Sequence, residues 1–211
     1  LLVETVMKEA ELRKIKADVL SEIRQRDDDP IGFTFRRFNE VLYEGHPYSK
    51  DPIGKERDIE DIKADDLERF YKGYVSPSSA VFAISGDIDE RELTALIKEL
   101  FSAWDGEAHT LRKEAVKESR KNTVIEKDIL QTHLIFGFLG PGLLDKDRYA
   151  VEVVDAILSG MGGRIHKVLR EDNPYAYALT FFNQMAYETG GMGIYIGTDR
   201  KLSGEVEKIV R

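Results

Sequence analysis

The chain has 211 residues, 42% hydrophobic and 33% charged, enough for one large globular domain or two small ones with a sizeable core. Its formal net charge of −8 and pI near 5.2, with no basic cluster to offset them, exclude nucleic acid as a partner. Cysteine is absent, so disulfides and thiolate metal sites are excluded and any metal falls to His, Asp or Glu. No apolar run approaches the ~20 residues that span a bilayer, and the front of the chain is charged rather than signal-like. A soluble protein with no membrane partner is expected, and its compartment, cytoplasm or bacterial periplasm, stays open.

Residues 5–26 read as a first helix, with Leu12, Ile15, Val19 and Ile23 on one face and Asp27-Asp28-Asp29-Pro30 as its stop. A second apolar-periodic segment runs through Phe33, Phe35, Phe38, Val41 and Leu42, and Glu44-Gly45-His46-Pro47-Tyr48 breaks it into a loop. Residues 59–74 read as one helix with Asp65 and Asp66 in its first turn, where the helix dipole favours anions. Residues 80–85, Ala-Val-Phe-Ala-Ile-Ser, predict a buried strand, and 90–104 an amphipathic helix. The stretch 105–122 is charged and aperiodic, as a linker is.

Beyond it, residues 123–126 and 133–140 predict strands, 145–158 a helix, and Gly160, Gly162 and Gly163 a turn into a short helix through Ile165, Val168 and Leu169. Residues 177–182 and 193–197 predict two paired strands, and a last helix begins near Lys201. Leu1 is not an initiator methionine, and the apolar positions Val206, Ile209 and Val210 open a helical pattern that Arg211 cuts. Both ends are therefore expected to lie inside a longer protein.

The chemistry-bearing candidates are few. His46, His109, His133 and His166 show no i, i+4 pairing, so no helical zinc motif is encoded, and His46 before Pro47 reads as a loop hydrogen-bonding residue. Gly160-Met161-Gly162-Gly163 follows a helix, not a strand, and reads as a tight turn rather than a phosphate cradle. Ser21, Ser85 and Ser159 lack a nucleophile elbow. Gly190, Gly191 and Gly193 read as a flexible turn leading into an edge strand.

Three groups of residues share an order and spacing. The first is Val19-Leu20-Ser21-Glu22-Ile23 before the Asp-Asp-Pro stop. The second is His46-Pro47-Tyr48 with Ile53-Gly54, Tyr74, Pro77 and Gly86-Asp87. The third is Ile157-Leu158-Ser159-Gly160, Gly163-Arg164-Ile165, Leu169-Arg170-Glu171 and Ala176-Tyr177. Together they resemble the M16 zinc peptidases of the pitrilysin, insulin-degrading and mitochondrial-processing type, over essentially the whole chain. The resemblance implies an α+β fold: two related α/β units of the LuxS/MPP-like metallohydrolase type, with mainly antiparallel sheets packed against helices. Residues 1–105 would be the C-terminal part of the zinc-bearing domain, 106–122 a linker, and 123–211 the N-terminal part of a second domain.

The implied activity is zinc-dependent hydrolysis of peptides or unfolded polypeptide segments, with the remaining M16 domains of the same protein or a homologous subunit as partners. The family's His-x-x-Glu-His is absent here, so the chain by itself is expected to be inactive and metal-free. Glu22 occupies the position of the third zinc ligand; about 20° from Ile15 on the helical wheel, it reads otherwise as a solvated boundary glutamate. Arg170 and Tyr177 occupy the positions of a substrate-holding pair, donors to the oxygen that becomes negative. On structure alone they would complement a helix end and fill a sheet face. Many active relatives keep an acid seven positions before the ligand, where this chain has Ile15. That departure, with the missing zinc motif, fits the alternative of a non-catalytic half or subunit serving as a chamber partner; a ferredoxin-like binding module is a more distant rival.

Overall fold

The Asp-Asp-Asp-Pro stop after the first helix also starts the second. In the computed structural model, which describes residues 6–106, 114–117, 120–160 and 162–211, α1 (Glu9–Asp27) gives way to α2 (Pro30–Leu42). The Asp29 carboxylate accepts from the Ile31 and Gly32 amides, both at 3.0 Å, while Pro30 takes the first helical position, where no amide is needed. Then follow α3 (Glu56–Asp61), α4 (Ala64–Tyr74), α5 (Glu90–Leu100), β1 (Gln131–Gly140), α6 (Arg148–Leu158), α7 (Arg164–His166), β2 (Ala178–Met185), β3 (Gly190–Asp199) and α8 (Ser203–Val210). This is an α+β fold, helices with an antiparallel sheet. No helix among the described residues is long and apolar enough to cross a membrane.

The described residues divide into two compact units, Leu1–Glu22 with Lys55–Arg112 and Ile23–Gly54 with Lys113–Arg211. The first is helical. The single helix expected over 59–74 is two, because Ile62 and Lys63 are extended and α4 acquires its own capped start. The Lys63 amide donates to the Asp66 carboxylate at 2.9 Å and the Ala64 amide to Glu9 of α1 at 3.2 Å, so two N-terminal donors find partners. The hydrogen bond from Lys63 is also the chief cause holding the Asp66 carboxyl below its usual range.

Residues 80–85 do not form the buried strand that their composition predicts: no described strand pairs with them, and Val81 is 91% exposed. A strand is a property of a pair, and β-propensity without a neighbour leaves the amides in water. The same holds for 123–126, where Val124 is exposed. Of the expected linker, 107–113 and 118–119 lie outside the described residues, and 114–117 has no regular structure.

The second unit carries the sheet, in the order β1-β3-β2 with every neighbour antiparallel. β1 pairs with β3 from Gln131↔Asp199 to Gly140↔Gly190, and β2 with β3 from Ala178↔Gly197 to Met185↔Gly190. One face presents Leu134, Phe136, Leu179, Ile194 and Ile196 to a core completed by Leu169, Ala176 and Val206. The other face lies under α2, where the Phe35 ring meets Phe182 edge-on at 5.0 Å and stacks on Tyr195 at 5.6 Å.

Gly190, Gly191 and Gly193, expected as a flexible turn leading into an edge strand, sit instead in β3, the central strand. A Cβ at Gly191 would come within 2.8 Å of the Leu42 side chain, and one at Gly137 would strike the Phe38 ring. Their absent side chains are the clearance that lets α2 settle on the sheet.

Candidate functional site

Between α7 and β2 the chain makes a π-helical turn, Lys167–Glu171, in which the Asp172 amide reaches back to the Lys167 carbonyl at 2.8 Å. The wider turn leaves the Leu169 carbonyl free to accept from two later amides, those of Tyr175 and Ala176, each at 3.1 Å. The Asn173 side chain caps the Val168 carbonyl at 2.9 Å, and the Tyr177 amide donates to Gly197 of β3 at 2.8 Å. Pro174 ends the helix by lacking a donor and restricting its predecessor. Residues 169–177 thus form a closed loop tied at its helical end and at its sheet end.

Burial alternates along that loop in a way that bears on chemistry. Leu169 is 2% exposed and Ala176 8%, both in the core, and the residue after each points out of it: Arg170 is exposed and Tyr177 is 62% exposed. No described carboxylate forms an ion pair with Arg170. The sequence-predicted pair is therefore presented on one short hydrogen-bonded frame, a planar fork of donors and a phenol hydroxyl, both open to solvent. Such groups can hold a carbonyl oxygen and stabilise charge that develops on it.

Glu22 lies on α1 and is exposed. Among the described residues no group of three His, Asp or Glu side chains converges to hold a metal ion, so Glu22 has no co-ligands there. One carboxylate does not make a zinc site, and the residues present do not fit the metal by themselves.

The histidines serve other ends, His109 lying outside the described residues. His46 is buried; its Nδ1 accepts from the Tyr48 amide at 3.2 Å, which leaves Nε2 as the protonated nitrogen facing the Glu114 carbonyl at 3.1 Å and Glu188 at 3.2 Å. It is the loop hydrogen-bonding residue its place before Pro47 suggests. His133 Nδ1 lies 2.7 Å from the Tyr195 hydroxyl, a pairing that single residues 62 apart do not announce in sequence. Burial lowers the His133 pKa, with the Asp29 charge opposing, and burial raises that of Tyr195. Ser159 donates to Asp155, one turn earlier in α6 and its end, not to a histidine. In the glycine turn, Gly160 takes φ +80 and a Cβ at Gly163 would strike the Leu158 and Ser159 carbonyls, so the glycines answer to backbone geometry; Met161 lies outside the described residues.

The profile of the family described as Peptidase M16 inactive domain matches residues 61–211. The chain belongs to the M16 peptidase family. That match includes Arg170 and Tyr177 and leaves out Glu22. The relatives it resembles include an uncharacterized zinc protease of Rickettsia bellii, 27% identical over 193 residues covering 90% of this chain and 46% of that protein. Another is an uncharacterized zinc protease of Mycobacterium leprae, 27% identical over 188 residues, 84% of this chain and 41% of that protein. Among solved structures, the peptidase M16 inactive domain from Pseudomonas fluorescens shares the fold with a TM-score of 0.88 at 23% identity, covering 99% of this chain and 52% of that one. The chain spans about half the length of the relatives it matches.

Proposed function

We propose that this chain is part of a zinc-dependent endopeptidase acting on peptides or unfolded polypeptide segments, and that Arg170 and Tyr177 are its contacts with substrate. The observation that carries this reading is the Leu169 carbonyl, which accepts from Tyr175 and Ala176 and so fixes the Arg170 end of the loop to the Tyr177 end. The guanidinium holds a substrate backbone oxygen with paired hydrogen bonds, and the phenol donates to the oxygen that gains charge as the scissile carbonyl is attacked. The backbone positions of both are fixed, since each follows a residue anchored in the core. Peptide is the proposed substrate, and the remaining M16 domains of the same protein or a homologous subunit are the proposed partners, supplying the metal machinery. The oxygen ligand offered by this chain is Glu22.

A second reading, a non-catalytic half that walls a chamber, draws support from the match to the family's inactive domain and from the lack of co-ligands near Glu22 among the described residues. The two part on Tyr177→Phe in the whole protein. The first reading expects kcat to fall by roughly 10²-fold with zinc content unchanged, the scale of losing one oxyanion donor. Full turnover with an altered melting temperature alone would hand the loop to the scaffold reading. Zinc content of Glu22→Gln decides the ligand assignment separately: loss of metal supports it, and unchanged metal makes Glu22 a solvated helix residue.

A further inference from the structure

The loop that carries Arg170 and Tyr177 is gripped on its sheet side by one buried side-chain hydroxyl beside the Tyr177–Gly197 backbone bond. Thr198 of β3 stands opposite Thr132 of β1 and is 0% exposed. Its Oγ1 donates to the Tyr175 carbonyl at 2.5 Å. That carbonyl and the Ala176 amide belong to one peptide group, and the amide donates the other way, to Leu169 at 3.1 Å. The peptide plane between Tyr175 and Ala176 is thus held at both ends, by the Arg170 side of the loop and by the sheet. The next amide, that of Tyr177, donates to Gly197, the strand neighbour of Thr198.

We infer that Thr198 is the positioning residue of the substrate-holding pair, its hydroxyl setting the spacing of Arg170 and Tyr177 through the 175–176 peptide. The inference rests on the reading of that pair as substrate contacts. The physical case is that a planar peptide with both its polar groups bonded cannot rotate without breaking one of them. Without the hydroxyl, the Tyr175 carbonyl sits over a fully buried side chain with no donor. The plane is then held through the Ala176 amide alone, and its turning toward another partner strains the neighbouring Tyr177–Gly197 bond. Sequence gives Thr198 no prominence: it is a polar residue at the end of an apolar strand. Its weight comes from what it faces.

The test compares Thr198→Val, which keeps the branched shape and removes the hydroxyl, with Thr198→Ser, which keeps the hydroxyl and removes the methyl. In this chain, hydrogen exchange read by NMR should speed up by roughly 10-fold at the Ala176 and Tyr177 amides in the valine variant, relative to the β1–β3 ladder, and return to normal in the serine variant. In the whole protein, cleavage of an unfolded peptide should lose roughly 10-fold to 10²-fold in kcat with little change in KM for valine, and recover for serine. Unchanged exchange at those amides in Thr198→Val overturns the inference outright. If Tyr177→Phe abolishes turnover while Thr198→Val leaves kcat intact, the inference alone fails and the substrate-holding reading stands. If Tyr177→Phe leaves turnover intact, the reading fails first and the inference with it.

Discussion

The sheet-bearing unit and the helical unit are built from similarly patterned segments and end in opposite states. In the first, Leu169, Ile196 and Val206 are buried beneath helices. In the second, Ile15, Phe70, Val81 and Leu100 stand open to solvent, and among the described residues only Leu12, Ala64 and the polar Ser76 are buried. Both units contain amphipathic helices, α5 in one and α6 in the other, so helix patterning does not separate them. The difference is the layer opposite. β1, β3 and β2 present a broad surface with apolar residues on both faces, and helices cover each face. The helical unit has only the unpaired extended stretch 80–85 where a sheet would be. An apolar stripe declares which side of an element should be covered, and only a second layer turns it into a core.

The largest expected effect tests that contrast directly. Ile196, paired with Leu134 on one side and Leu179 on the other, is fully enclosed, so Ile196→Ala should cost about 2–5 kcal/mol in urea unfolding of the sheet unit. Val81→Ala should lie within about 0.5 kcal/mol, since its side chain already faces water. A cost above about 2 kcal/mol at Val81 would mean that the 80–85 stretch is covered in solution, and the contrast between the units would collapse.

Glycines sharpen the same comparison with effects of opposite sign. At Gly191 a new Cβ would come within 2.8 Å of Leu42 and 3.0 Å of the Tyr43 hydroxyl, so Gly191→Ala should destabilise the sheet unit by about 1–3 kcal/mol by pushing α2 away. Gly73, inside α4, has nothing within 4 Å of that position, so Gly73→Ala should stabilise the helical unit by about 0.5–1 kcal/mol through helix propensity alone. Thermal or urea melts of the two variants suffice. Destabilisation by Gly73→Ala would show a neighbour packed on that face of α4.

These elements also mark how far the sequence could be read. The helices α1, α5 and α6 and all three strands announce themselves by period and by stop signals, Asp29-Pro30 most plainly, because those rest on interactions within a few residues, whereas α2 reads only as an apolar-periodic segment. The strand expected at 80–85 fails because pairing is not written in the strand itself. Gly191 and Gly193 mislead for the same reason: glycine reads as a loosener until what it makes way for is seen, the Leu42 and Tyr43 side chains at Gly191 and the β1 backbone at Gly193. At the candidate site, Arg170 and Tyr177 were legible as residue types at a spacing. The Leu169 carbonyl and Thr198 were not, since a backbone acceptor leaves no trace in sequence and a threonine in a strand is ordinary. Glu22 was legible by position only, and no described side chain joins it.

The smallest effect belongs to His133, and it too separates the units, because every described histidine lies in the sheet-bearing one. His133 Nδ1 and the Tyr195 hydroxyl share a hydrogen bond at 2.7 Å whose donor follows the imidazole tautomer, and burial raises the Tyr195 pKa. Burial also lowers the His133 pKa below its usual value of 6.5, the Asp29 carboxylate working against it. Between the folded and unfolded pKa values the unfolded chain therefore binds more protons than the folded one, and stability must rise with pH. The contribution is complete above about pH 6.5 and is lost as pH falls from there through the folded pKa. His133→Gln keeps an acceptor for Tyr195 but does not titrate, so the melting temperature of the sheet unit should depend less steeply on pH between about 5 and 7 than in the parent chain. The other histidines are common to both proteins and cancel in the difference. Parallel pH profiles for the two would show that protonation of His133 is no costlier in the folded chain than in the unfolded one, and that the Tyr195 contact is held by stacking under α2 rather than by the hydrogen bond.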